Sequence, residues 1–309
     1  MRILVTGATG LIGRHLIALL AKDHTVTALG RDNKKTSRVL AQLVDLCLTL
    51  EELDTLDGFD AIINLAGEPI AEHRWSQKQK QRICESRWHL TEGLLEKLRH
   101  CTNPPQIWLN ASAVGSYGSQ GSQRLTEESH RTTDDFPHQV CLRWEELAQE
   151  AADYGCRVCI MRIGPVLTTE GGMLGKLLPL FRLGLGGVQG DGEQYISWIS
   201  MDDLLLAIQF LLTEPSCHGI YNLTAPHPVP QKEFARQLAI TLDRPLLLPL
   251  PALLLRLVLG EMSTMLLDGQ NVYPSRLLDS GFHFKYPELI PALRHLFHNG
   301  HTTRRLPDA

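Results

Sequence analysis

Along the first two thirds of the chain, short apolar runs alternate with segments of helical period. Residues 3–6, 25–30, 44–48, 60–66, 106–112 and 157–163 are apolar stretches of strand length, while 11–22, 77–99 and 143–154 repeat their apolar positions at helical spacing. Continuous apolar strands are covered on both faces, and strand–helix–strand repetition makes a parallel sheet between two helical layers. Right-handed crossovers wind such a sheet doubly, so the pattern predicts an α/β fold of Rossmann type over 1–167. Past 168 the pattern changes. A glycine-rich stretch with a leucine-rich helix at 173–185 reads as a lid over 168–193. A strand at 198–200, a helix at 202–212 and a strand at 219–225 are expected to return 194–225 to the sheet domain. Prolines then punctuate short helices over 226–298, a smaller and mainly helical C-terminal domain, and the polar 299–309 reads as a flexible tail.

The first strand runs into Gly7, Gly10 and Gly13, spaced G-x-x-G-x-x-G, at the start of the first helix. Small residues are needed there because the turn is tight, a pyrophosphate must approach the backbone, and helix must pack on strand. The free N–H groups and positive end of that helix then face the phosphates. The second strand ends on Leu29, Gly30 and Arg31 in place of the acidic residue that usually holds a ribose hydroxyl. Arg31, with Lys34 and Lys35 nearby, can clamp a 2′-phosphate, and Asp32 is one position late and free to cap the next helix. The expected cofactor is therefore NADP(H).

Charge and cysteines narrow the field. Thirty Lys and Arg against 34 Asp and Glu leave −4, which speaks against a basic nucleic-acid face. Seven cysteines, an odd number lying mostly in apolar runs, fit a reducing compartment and a cytoplasmic protein. Cys156 and Cys159 form a C-x-x-C inside a strand, where small core residues are expected and a redox or metal site is not. Met1 leads straight into the first strand with no leader pattern, and the apolar 246–260 is too short and too broken by proline to span a bilayer. That stretch is expected to be a buried or interface helix. With the many C-terminal leucines it suggests a homodimer, and no membrane, nucleic acid or metal partner is expected.

Taken together, TGATGLIG (6–13), NLAG (64–67), SAVGSYG (112–118), RIGPVL (162–167) and GDGEQYISWISMDDL (190–204) resemble the extended short-chain dehydrogenase/reductases. GEPIAEHRW (67–75), ESRW (85–88), RWEELA (143–148), FRLGLGG (181–187) and the tail from 267 to 289 look like its atypical "epimerase family" subgroup, including a characteristic C-terminal region. The resemblance implies that Gly7, Thr9, Gly10, Leu11, Ile12 and Gly13 wrap the pyrophosphate, and that Gly30 and Arg31 hold the adenosine ribose and its phosphate. It also implies that Leu65 and Ala66 pack near the riboses, that Arg87, with Arg82 before it, reaches back to the cofactor, and that Pro165 and Val166 flank the nicotinamide.

Hydride chemistry in that family uses Ser, Tyr and Lys, with the last two spaced Y-x-x-x-K. That pair is missing before the 143–154 helix. One alignment sets Pro137 and Cys141 on it, and the neighbouring register sets Cys141 and Glu145. Ser112 stands near the family's Ser. The catalytic candidates are thus Ser112, Tyr117 and Cys141, with His138 and Glu145 flanking. Glu68, Arg74 and Trp75 follow the fourth strand where open sheets bind ligands, and Tyr195 and Trp198 are expected around the same cleft, all as substrate contacts. Two readings remain open: an oxidoreductase or sugar-nucleotide-type epimerase acting on an unidentified small molecule, and a non-catalytic NADPH sensor.

Overall fold

The computed structural model describes residues 1–40, 43–130, 134–247 and 249–299. The expected tail lies outside them from 300 onward. The strands in chain order are β1 (Arg2–Thr6), β2 (Thr25–Leu29), β3 (Leu46–Leu48), β4 (Ala61–Asn64), β5 (Ile107–Ala113), β6 (Arg124–Leu125), β7 (Arg157–Ile163), β8 (Val166–Leu167), β9 (Tyr195–Ile196), β10 (Ile199–Ser200), β11 (Gly219–Leu223), β12 (Val229–Pro230) and β13 (Asn271–Val272). The longer helices are α1 (Leu11–Leu20), α2 (Asn33–Leu40), α3 (Gln77–Arg99), α4 (Phe136–Gln149), α5 (Gly172–Arg182), α6 (Met201–Thr213), α7 (Gln231–Thr241) and α8 (Ala252–Leu259). The short α9 (Thr264–Leu267), α10 (Ser275–Asp279) and α11 (Leu289–Arg294) follow.

Seven strands form one sheet in the order β11-β7-β5-β4-β1-β2-β3, every pair parallel. The order reverses between β1 and β4, which makes the crevice between their carboxyl ends the natural ligand site. Residues of β1, β4 and β5 are almost all buried because helices cover both faces. One core, including Ile3, Val5, Leu16, Ile63, Leu204, Ile208 and Leu211, lies under α1 and α6, and another, including Leu4, Ile62, Leu95 and Trp108, lies under α3 and α4.

The C-terminal region has a core of its own, in which Leu174, Leu178 and Phe181 of α5 meet Phe234 and Leu238 of α7 and Leu289 and Leu293 of α11. The two-residue ladder of β13 on β6 joins it to the segment after β5, while β12 pairs with β9 within the C-terminal core. Trp198, expected at the cleft, is wholly buried in this core and is corrected to a packing residue. Cys156 and Cys159 are free and buried, and burial pushes their thiols up to about 11 and about 12. Both are therefore inert core residues.

Candidate cofactor and active site

The glycine turn is shaped by what surrounds it. Gly7 has φ +64°, and a Cβ there would lie 2.7 Å from the Leu65 carbonyl carbon. A Cβ on Gly13 would lie 2.2 Å from the Gly7 oxygen. Thr6 then fixes the opposite wall: its hydroxyl donates to Asn64 Oδ1 at 2.7 Å and accepts from the Leu65 and Ala66 N–H groups at 3.1 Å. The turn, α1 and the end of β4 thus form a bare backbone cradle. Gly10 caps α1 with no side-chain hydrogen bond, which leaves the N–H groups at that end open to an anion. Thr9 and Gly10 are exposed at its mouth, Leu11 and Ile12 are half-buried, and Gly13 is buried beneath. The cradle fits a dinucleotide pyrophosphate.

At the end of β2, Asp32 turns into α2, where its Oδ1 accepts the Lys35 N–H at 3.1 Å. Asp32 is therefore a helix cap, and Arg31 stands exposed beside it. A Cβ on Gly30 would strike Thr36 Oγ1 at 2.2 Å, so the close approach of α2 to β2 requires glycine there.

Past β4, Ser86 and Arg87 of α3 hold the following loop. Ser86 Oγ accepts the Glu68 N–H at 2.8 Å, and Arg87 Nη1 donates to the Glu68 and Ile83 carbonyls at 3.0 and 2.9 Å. The Arg87 guanidinium lies against Gly67 and 5.2 Å from the Trp144 ring centre, and burial draws its pKa down. Arg87 thus sits directly below the backbone that follows Leu65 and Ala66. Arg82 does not join it: five positions away, about 140° round the helix, it is exposed. Trp75 donates its indole N–H to Ile70 O at 2.8 Å and packs edge-on against Phe136, an anchor for the loop. Exposed Arg74 lies near Gly260 of the C-terminal region. The segment after β8 lies over this side, with Lys176 of α5 donating to the Ala71 carbonyl and Glu170 paired with Arg14 and with His15 at 3.1 Å. Val166 of β8 pairs with Ile199 of β10, and half-buried Tyr195 pairs with Pro230.

The end of β5 carries the densest chemistry. Ser112 stands beside Arg162 in the β5–β7 register, and its hydroxyl donates to Glu145 Oε1 at 2.6 Å. Arg162 forks onto the same carboxylate, Nε to Oε1 at 2.9 Å and Nη2 to Oε2 at 2.8 Å. All three are buried. Burial alone would pull Arg162 down, but the Glu145 pair outweighs it and holds the guanidinium above its ordinary value. One helical turn before Glu145, Cys141 Sγ donates to the Ala113 carbonyl at 3.9 Å beside Ser112, and burial together with the Glu145 charge pushes its thiol up. Cys141 is accordingly a neutral thiol, not a nucleophilic thiolate. His138 Nδ1 is committed to the Ser116 carbonyl at 2.8 Å.

Tyr117 does not face this group as an acid. It is wholly buried, its hydroxyl donates to Asn222 Oδ1 at 2.8 Å, and Arg162 lies 4.6 Å from its ring centre. The structure corrects it to a packed strut between β5 and β11. The buried chain Asn110–Asn64–Thr91–Trp144 is a feature that sequence reasoning misses. Asn64 Nδ2 bonds Asn110 at 2.7 Å and Thr91 at 2.9 Å, and Trp144 bonds Thr91 at 3.1 Å. Its only sequence signal is an Asn in each of two otherwise apolar strands.

Comparison with known proteins agrees with this architecture. Residues 3–224 match the NAD dependent epimerase/dehydratase family, and 250–296 match a domain of unknown function, DUF1731. The chain is 37% identical over 301 residues to an Arabidopsis thaliana chloroplastic homolog of epimerase family protein SDR39U1, covering 95% of this chain and 86% of that one. It is 37% identical to an epimerase family protein of Staphylococcus saprophyticus, covering 96% and 99%. The crystal structure of human epimerase family protein SDR39U1 (isoform 2) with NADPH superposes with a TM-score of 0.89 at 34% identity, covering 97% of this chain and all of that one. Glycine cradle, sheet order and match over most of the length agree, and the chain belongs to the NAD dependent epimerase/dehydratase family.

Proposed function

We propose that this protein binds NADP(H) and acts as an atypical short-chain oxidoreductase or epimerase on a small polar substrate. The observation that carries the cofactor choice is Asp32. Its carboxylate is spent on capping α2, so Arg31 is the group left to meet the 2′ position of the adenosine ribose. The NADPH in the human relative's crystal supports the same choice. Gly7, Gly10 and Gly13 hold the pyrophosphate, Leu65 and Ala66 line the ribose side, and Val166 lies toward the nicotinamide. When bound, that ring supplies or accepts a hydride.

The chain's own part is proton handling at Ser112. Because Ser112 donates to Glu145, its free lone pairs are left to accept from a substrate hydroxyl. As a substrate hydroxyl is oxidised, its proton passes to Ser112 Oγ while the serine proton moves to Glu145. Reduction runs the same transfer backward. Arg162 balances Glu145 when it is ionised. Glu68 and Arg74, on the loop after β4, and Tyr195 are the proposed substrate contacts. Seven free cysteines support a reducing compartment such as the cytoplasm. Among the described residues no helix is long and apolar enough to cross a membrane.

A second reading, NADPH binding without turnover, is favoured by two observations: the Y-x-x-x-K pair is missing and Tyr117 is sealed in the core. Nicotinamide fluorescence during an NADPH titration separates the two. The enzyme reading expects tight binding with enhanced, blue-shifted emission from a buried ring. Arg31→Ala should weaken NADPH binding by about 10- to 100-fold, the worth of one charge-assisted contact, and leave NADH unchanged. Tight binding with unchanged nicotinamide emission favours the non-catalytic reading, and equal loss for both nucleotides in Arg31→Ala sinks the NADP(H) assignment.

A further inference from the structure

Helix α8 buries none of its residues, although its sequence is ALLLRLVL. Leu253 is 79% exposed, Leu257 77%, Val258 56% and Leu254 48%. At 100° per residue these four occupy one continuous arc of the helix, and Leu255 and Leu259 point the other way. The lid continues the same surface. Residues 182–190 run beside 244–247 and 249–252, tied by Arg244 Nε to Arg182 O at 2.8 Å, Leu250 N to Val188 O at 2.7 Å and Gly190 N to Leu250 O at 2.9 Å. Leu183 and Leu247, each 72% exposed, extend the apolar face along that seam.

We propose that this face is the contact between two copies of this chain. The six exposed aliphatic residues named above amount to roughly 700 Å² of residue surface, close to the ~800 Å² each partner of a standard stable interface contributes and above the roughly 300–600 Å² patch of an ordinary monomer. Its composition is that of an interface core. Between 244 and 260 the charged residues are Arg244 and Arg256, with no Lys, Asp or Glu. The same features disfavour a lipid surface. The stretch has no Trp, Tyr or Phe to seat in a headgroup layer and no lysine cluster to draw it there.

The contact would also bear on the cleft. α8 runs directly into Gly260 and Glu261, where Arg74 packs near the glycine and Lys80 pairs with Glu261 at 2.6 Å. A second copy pressed on α8 and on residues 183–190 would hold both the lid seam and the start of α3.

Sedimentation equilibrium on the full chain between about 1 and 100 μM tests this, without any need for cofactor or substrate. Wild type should be a dimer. Leu253→Glu/Leu257→Glu should raise the dimer dissociation constant more than about 100-fold while its circular dichroism melt stays that of wild type, since two charges would have to be buried unpaired. Leu46→Glu, on the exposed far edge of the sheet, should remain a dimer. A monomer over the whole range, a dimer unaffected by the double change, or one dissociated by Leu46→Glu would each overturn the assignment. So would a monomeric wild type that floats with phosphatidylserine vesicles, because the face would then be a membrane surface.

Discussion

Arg162 has two functions that a single substitution can separate. It neutralises Glu145 through two hydrogen bonds, and it covers the Tyr117 ring at 4.6 Å. Arg162→Met keeps most of the packing volume but leaves the buried carboxylate without its guanidinium. Removing one member of such a pair costs about 3–5 kcal/mol. Urea denaturation should show a loss of that size. Adding Glu145→Gln to Arg162→Met should recover part of it, since the uncompensated charge is then gone. If the double variant is no more stable than Arg162→Met, the loss comes from packing on Tyr117 and not from the charge.

At the scale of elements, α4 shows how a helix start is set. The sequence pattern starts this helix at 143. In the structure Asp135 caps the helix, accepting the His138 N–H at 2.9 Å, and Pro137 sits in the first turn, where its missing N–H costs nothing. The two extra turns carry Cys141 to Ser112. Asp135→Ala should cost about 1 kcal/mol in a denaturant titration and speed amide exchange over 136–141, leaving the sheet protected. The glycine turn and the sheet strands are legible in the sequence because each is local: a spacing after an apolar run, or a continuous apolar segment. Helix α2 escapes the apolar pattern because its apolar side is thin, although its Asp32 cap is legible. The Ser112–Glu145–Arg162 group is not legible in advance. Glu145 lies 33 residues from Ser112 and 17 from Arg162, and the three meet through the β5–β7 register and the α4 face together. Tyr117 and Trp198 mislead for a related reason. An aromatic in a cleft and one in a core look alike until tertiary packing decides.

For the whole molecule, Glu127 is the residue in which the parts meet. It follows β6, which is laddered to β13, and its Oε1 accepts the Asn222 N–H of β11 at 3.0 Å and the Arg276 N–H of α10 at 3.3 Å. One carboxyl thus ties the segment after β5, the sheet edge and the C-terminal region. Burial pushes its pKa above the ordinary 4.5, against the pull of those N–H donors, and the buried Oε2 has no hydrogen-bond partner. The folded protein therefore holds this proton more tightly than the unfolded chain does. The linkage then has a definite sign: the stabilisation is complete below pH 4.5 and is lost as pH rises through the raised folded value. Glu127→Gln keeps an acceptor for the two N–H groups and removes the titration. Relative to wild type, its thermal midpoint should improve as pH rises from about 4.5 to about 8, and the stability difference should cease to change once wild-type Glu127 has ionised. A difference that stays constant across that range would mean that Glu127 ionises alike in the folded and unfolded chain, and that the tie between sheet and C-terminal region is held by its hydrogen bonds at every pH.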